Sequence, residues 1–283
     1  MMMSWLHALD VWAYQLISQV WQLYAPILGV VLAFSLLERR FAFGPVQCWG
    51  TVRFNLAWHG LFLAFYLVIS ETAWGQVVTW LGRLNGTPLL NLGPPHGFVD
   101  ELLRCALAIV LQDFFGYWGH RLQHSSSVFW AIHQFHHEDT NLSASTSLRT
   151  HWFNVPFVQL TVLIPTLWVL GIDGVSPSVY FFLAIFAALS HLNMDIGRGR
   201  LASIFVTPRY HRIHHARARA LHDKNFSAVL PLWDILFGTH RSPDSDVPLQ
   251  TGVEGILPAT SYRQALIAPF LVWRDAVKSH VAR

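Results

Sequence analysis

The chain is short of charge and nearly free of cysteine. Only 12% of its 283 residues are Asp, Glu, Lys or Arg, about half the share usual in soluble globular domains. Hydrophobic residues make up 53%, including 20 Phe and 13 Trp. This balance excludes an ordinary soluble domain and points to a membrane protein. The two cysteines, Cys48 and Cys105, form no CxxC. Their number and spacing exclude a disulfide framework, an all-cysteine zinc site and an iron–sulfur cluster. The N-terminal MMMSWLHALDVW has neither a basic stretch nor a small-residue cleavage site, so no removable signal peptide is expected. HExxH is missing, which removes the zinc-protease reading, and no GxGxxG follows a strand to bind a nicotinamide or flavin.

What the chain does have is apolar length. A helix needs about 20 apolar residues to cross ~30 Å of hydrocarbon. Five stretches qualify or nearly do, roughly 20–37, 54–74, 102–118, 152–170 and 175–192. The expected fold is therefore all-α, an integral-membrane helical bundle forming a single domain. Residues 1–100 would carry the N-terminal spans and 101–270 the chemistry. Residues 4–19 are aromatic and amphipathic, as in an interfacial helix. Arg39, Arg40 and Arg53 lie between the first two spans, Arg121 and Arg149 between the third and fourth, and twelve Lys or Arg follow residue 195. By the positive-inside rule the C-terminus is cytoplasmic and the N-terminus is not. This asymmetry accounts for the basic residues, and no nucleic-acid partner is expected.

The 16 histidines are not scattered; ten lie between 120 and 215. HRLQH places His120 and His124 at i and i+4. HQFHH places His133, His136 and His137 at i, i+3 and i+4, and HRIHH repeats that spacing with His211, His214 and His215. His191 ends the fifth apolar stretch. Residues three and four apart share a helix face. Two such imidazoles can hold one ion while the adjacent histidine turns toward a second ion or a different edge of the cluster, and imidazole suits iron, zinc and copper. Burying so many imidazoles without partners would be costly. The lone His7, His59, His96, His240 and His280 read instead as interfacial or packing residues. Asp113, Tyr117, His120 and His124 form one stripe along the third stretch. An acid at that depth must face the bundle interior. There it either orients a ligand imidazole, as a residue of the catalytic site, or makes a helix–helix contact.

These boxes, with the connecting DFFGYWGHRLQH, FWAIHQFHH, NLSASTSLRTHW, HLNMD, DKNFSAVLPLWDILFGT and TSYRQALIAPF, resemble the fatty acid hydroxylase / sterol desaturase superfamily over roughly residues 100–270. The resemblance implies two iron ions under a cytoplasmic helical cap, with zinc able to replace iron in isolated protein. It implies O2-dependent hydroxylation or desaturation of a sterol, fatty acyl or related lipid. The implied metal ligands are His120, His124, His133, His136, His137, His191, His211, His214 and His215. Members with a fuller set often carry another HxxxH; here His191 is followed at i+4 by Asp195, so that box is incomplete. Asn141, Arg149, His151, Asp223 and Asn225 match family positions behind the ligands or against the cap. Ser227 stands where glycine is common. Ser125 stands where alkylglycerol-cleaving relatives tend to have an acid, which weighs against that substrate. No HPGG marks a fused cytochrome, so an external ferredoxin, cytochrome or reductase is implied. The Arg-rich stretch 198–219 could dock an acidic donor, or simply sit beside anionic lipid. The rival is a non-enzymatic membrane metal-binding or transport protein, but transporters hold ions near the bilayer midplane.

Overall fold

A computed structural model of the chain describes residues 2–70, 75–76, 79–80, 88–90, 92, 95–171, 175–244 and 250–281. Among them the regular structure is helical, with one isolated antiparallel bridge between Ala216 and Thr251. Helix α1 (Met2–Phe41) and helix α2 (Trp49–Ser70) are antiparallel. Ile27 and Val31 of α1 pack against Val52 and Leu56 of α2 in a buried cluster. The Tyr24 hydroxyl donates to the Leu56 carbonyl at 2.9 Å. Residues 4–19 do not form a separate interfacial helix; they run into the first span as one 40-residue helix.

Three further helices continue the alternation: α3 (Phe98–Ser125), α5 (Asn154–Leu170) and α6 (Pro177–Ser190). Between α3 and α5 lies the short α4 (Ser127–His137). Among the described residues only Ile17–Phe41 and Trp49–Ile69 are long and apolar enough to cross a membrane. The five-span expectation narrows for physical reasons. α3 carries Asp100, Glu101, Arg104 and Asp113. α6 has 14 residues, about 21 Å at 1.5 Å per residue against the ~30 Å of hydrocarbon. α5 is also short and contains a π turn at Gln159–Leu163. Residues 71–74, which closed the second expected span, lie outside the described residues.

One end of the bundle gathers the ends of α1, α3 and α6 and the starts of α2 and α5. Buried polar side chains tie it together. Glu38, near the end of α1, accepts from the backbone N–H of Ala144 at 2.7 Å and of Asn193 at 2.9 Å. Gln123 near the end of α3 donates to Asn154 at the start of α5, 2.7 Å away. Four more helices cover this end: α7 (Arg200–Ile204), α8 (Pro208–His214), α9 (Leu232–Leu236) and α10 (Tyr262–Val281). α8 starts as its sequence dictates. Thr207 accepts from the Tyr210 N–H at 3.3 Å, and Pro208 fills the first helical position. Gly197 packs on that cap with φ +93°; a Cβ there would lie 2.2 Å from Thr207 Cβ. α10 lies along α4, with Trp273 Nε1 donating to the Val128 carbonyl at 2.9 Å. Trp58 of α2 is wholly buried between Phe135 of α4 and Trp152.

Candidate metal centre

Four segments aim histidines into the space under these covering helices. The last turns of α3 supply His120 and His124. α4 supplies His133, His136 and His137. His191 is the residue that closes α6, and α8 with its C-terminal cap supplies His211, His214 and His215. They fall into two groups, one of His120, His124, His133, His137 and His214 and one of His136, His191, His211 and His215, each with ligand atoms within 4.8 Å of one another. All nine expected ligand residues are therefore brought together, His191 included. His151 and Asp195 belong to neither group. His151 packs near the Leu266 carbonyl, and Asp195 pairs with Arg198 and Arg209.

The two HxxHH boxes cross. His133 and His137 enter the five-histidine group while His136 enters the other; His211 and His215 enter the four-histidine group while His214 enters the first. Residues at i and i+4 aim together, and the residue at i+3 turns to the neighbouring group. The groups adjoin where the rings of His137 and His215 stack with centroids 4.3 Å apart.

His137 Nε2 lies 3.0 Å from His133 Nε2, 3.1 Å from His214 Nε2 and 3.2 Å from His124 Nε2. A neutral imidazole nitrogen carries one proton or one lone pair, so it cannot hydrogen-bond all three. Several of these nitrogens have no proton to offer. The carbonyls of Phe226, Lys224 and Ala187 lie 2.7, 2.9 and 2.7 Å from Nδ1 of His120, His214 and His191. Each holds the ring proton on Nδ1 and leaves a lone pair on Nε2. In the second group His191 Nε2 lies 3.2 Å from His136 Nε2 and 3.1 Å from His211 Nε2. Lone pairs gathered this way repel unless they share a cation. Ligands about 2.05 Å from one ion sit roughly 2.9 Å apart at right angles and 3.3 Å apart at tetrahedral angles, so the donor set fits a metal. Burial also pushes the pKa of His133, His136, His137, His211, His214 and His215 well below the ordinary histidine value. That favours the neutral form a ligand requires.

The surroundings fix the segments rather than the rings alone. Arg149 is fully buried. It donates to the Phe135 carbonyl at 3.2 Å and to Asn55 Oδ1 at 3.0 Å, and it pairs with Glu138. Glu138 also accepts from the Ala259 N–H at 2.7 Å. Burial raises the pKa of Glu138 and of Asp139. Asp139 accepts from Gln47 at 2.6 Å and from Thr146 at 2.8 Å. Asn225, with φ +58°, donates to the Tyr210 and Arg241 carbonyls, holding its loop on α8. The Asp223 carboxylate lies 3.7 Å from His124 Nδ1. Asn141 contributes its carbonyl, accepting from Gln47.

Asp113 orients no imidazole, which corrects its assignment to the catalytic site. Its Oδ1 accepts from the N–H groups of Ala228 and Val229, its Oδ2 from Leu230 N–H and Trp233 Nε1, all between 2.8 and 3.0 Å. At its depth in α3 the nearest donors are three backbone N–H groups of one turn and an indole N–H, and a carboxylate satisfies all four at once. The sequence reading also missed Asp234. It is fully buried and accepts from Tyr210 OH, Thr239 Oγ1 and the N–H groups of Phe226 and Ser227. Phe226 is the residue whose carbonyl meets His120. The only signal was an acid inside the apolar run PLWDILFG.

An open cavity of about 370 Å³ reaches the five-histidine group, with His124, His137 and His214 in its wall.

Residues 105–239 match the family model described as fatty acid hydroxylase. Human alkylglycerol monooxygenase is 34% identical over 146 residues, 48% of this chain and 30% of that protein. The ornithine lipid hydroxylase OlsE of Rhizobium tropici is 32% identical over 58% of this chain and 49% of its own length. Methylsterol monooxygenase 1-3 of Arabidopsis thaliana is 26% identical over 62% of this chain and 60% of its own length. The chain thus spans less than half the length of the first two relatives. No solved structure gives a significant match.

Proposed function

On the match of residues 105–239 to the fatty acid hydroxylase family model, we propose that the chain is a membrane-bound, O2-dependent lipid oxygenase that holds two iron ions. The five-histidine group holds one ion and the four-histidine group the other. The observation that carries this reading is His137 Nε2, which faces three other imidazole nitrogens at 3.0–3.2 Å and has no other way to satisfy them. For hydroxylation the balance is R–H + O2 + 2 e⁻ + 2 H⁺ → R–OH + H2O; desaturation removes a second hydrogen instead of delivering the hydroxyl. When bound, the iron pair supplies the activation of O2. The electrons come from an external one-electron protein donor, a ferredoxin, cytochrome or reductase. The substrate is a membrane lipid, in keeping with the alkylglycerol, ornithine lipid and methylsterol in the names of the relatives. The chain is multi-pass, with its histidine end and C-terminus on the cytoplasmic side, as the Lys and Arg distribution favours.

The protein's own residues do three things for this chemistry. Carbonyls of Phe226, Lys224 and Ala187 hold the proton on Nδ1 and present Nε2. The Arg149–Glu138 pair fixes α4, and Asp234, accepting from the Tyr210 hydroxyl, fixes α8. Trp130 and Phe226, with ring centroids 5.1 Å from that of His124, pack against it and fix its ring. The test is purification in lipid, loading with ferrous iron and elemental analysis, with lipid profiling of cells with and without the protein. Two irons per chain and a lipid gaining 16 or losing 2 mass units are expected. One ion per chain at excess iron, or no oxidised lipid, would overturn the reading.

A further inference from the structure

The outer contacts of the two histidine groups are unequal. In the five-histidine group one short segment backs three ligands. The Phe226 carbonyl lies 2.7 Å from His120 Nδ1, the Lys224 carbonyl 2.9 Å from His214 Nδ1, and an Asp223 carboxylate oxygen 3.7 Å from His124 Nδ1. In the four-histidine group His191 has such a partner, the Ala187 carbonyl at 2.7 Å. Nδ1 of His211 and Nδ1 of His215 are buried and meet no acceptor among the described residues.

Segment 223–226 reaches three rings because of its backbone. Asp223 and Asn225 both have φ +58°, and they are the non-glycine residues with positive φ among the described residues. Asp and Asn tolerate that region better than most side chains do. With every second residue left-handed, the carbonyls of Lys224 and Phe226 both meet imidazoles. Asn225 locks the turn. Its amide donates to the Tyr210 and Arg241 carbonyls, and its oxygen accepts from the Arg241 N–H at 2.7 Å.

An Nδ1–H that donates to an oxygen fixes the ring and strengthens Nε2 as a ligand; loss of one such partner typically lowers metal affinity about 10–100-fold. A neutral ring that binds through Nε2 must carry its proton on Nδ1, and a buried N–H without an acceptor is unfavourable. The five-histidine group also offers one ligand more. Resting on the two-iron reading, we infer that the two metal sites are unequal: the five-histidine site, backed by residues 223–226, holds its ion at least tenfold more tightly, with Asp223 and Asn225 as the positioning residues. The tighter site is the one that the cavity reaches, and Asp223 stands in the cavity wall. At limiting metal the chain carries one ion, in the five-histidine group. The four-histidine site fills as metal rises, and its occupancy governs how much of the protein holds the complete pair.

The test is equilibrium dialysis of the protein in lipid nanodiscs against chelator-buffered cobalt(II), with cobalt per chain read by elemental analysis. Two neighbouring cations repel, which by itself splits the isotherm into two steps, so each site is also measured alone. His191→Ala with His211→Ala leaves the five-histidine group; His120→Ala with His124→Ala leaves the four-histidine group. The ion of the first variant is expected to bind at least tenfold more tightly than the ion of the second. Two single substitutions read the same difference without dismantling either group. Asp223→Asn removes the charge behind His124, and Asn225→Gly keeps the positive φ but releases Arg241. Each is expected to narrow the gap between the two steps at least roughly threefold, a change that uniform loosening of the fold would not produce. Equal affinities in the two paired variants, or a gap that Asp223→Asn or Asn225→Gly leaves unchanged, would overturn the inference and leave the two-iron reading intact. Fewer than two cobalt ions per wild-type chain at saturating metal would overturn both.

Discussion

Asp113→Asn separates a clamp from a participant in catalysis. The carboxylate receives four hydrogen bonds, two at each oxygen. Asparagine keeps one oxygen and turns an NH2 toward the other two donors, whichever way the amide flips. Two charge-assisted bonds are lost at about 1.5–3 kcal/mol each, or roughly 3–6 kcal/mol together. For a chain of this size that lowers the melting temperature by on the order of 10 °C. The loop so loosened contains Phe226, but Asp234 still grips the Phe226 N–H at 2.8 Å, so His120 keeps its carbonyl partner in molecules that fold. The expected result is lower yield and a lower melting temperature in detergent, with wild-type metal content in the folded fraction. The assay is a thermal melt followed by size exclusion, with elemental analysis of the recovered peak. An unchanged melting temperature with lost metal or collapsed turnover would refute this account and restore Asp113 to the catalytic site.

Gly197→Ala should shift α8, since its Cβ would meet Thr207 at 2.2 Å, whereas Gly199→Ala, with φ +57°, ψ −134° and nothing within 4 Å, should cost only the backbone strain, about 1–3 kcal/mol; melting curves and metal content of the pair check the contrast. His137→Ala should remove at least half of the bound metal while His151→Ala retains it, read by elemental analysis at matched protein levels. Glu138→Gln leaves the fully buried Arg149 without its anion and should cost about 3–5 kcal/mol, seen as a lower midpoint in denaturant; an unchanged midpoint would show that the pair does not hold α4.

The histidine pattern was legible because helical spacing is local. His133 with His137, and His211 with His215, share a group as i and i+4 neighbours, and it is the middle histidine of each box that turns to the other group, which spacing alone did not specify. His191 lacked such a local partner, and only tertiary packing at the end of α6 shows that it sits 3.2 Å from His136. The span count was less legible, because a hydropathy window registers apolar content and not where a helix stops. α6 begins at Pro177 behind the Ser176 cap, shorter than the apolar run suggested. Glu38, Asp139 and Asp234 were invisible for another reason. Each satisfies backbone or side-chain donors of loops far away in sequence, and no periodicity marks such a residue.

The crossing of the boxes has a consequence for the order of events as the chain is made. His120, His124, His133 and His137 emerge early, but their group lacks its fifth member until His214; the other group waits for His215. At about 5–20 residues per second, the early imidazoles stand for several seconds as incomplete chelators. Both groups then become complete within one residue of each other. The Nε2 contact between His137 and His214, which closes the first group, joins residues 77 positions apart, and within the second group His136 meets His191 55 positions on. An ion bridging the longer gap removes on the order of 4 kcal/mol of entropy from the unfolded chain. On the proposed two-ion reading, metal capture and the closing of the covering helices onto the bundle are one late, cooperative step of synthesis, and selection between iron and a competitor such as zinc falls there.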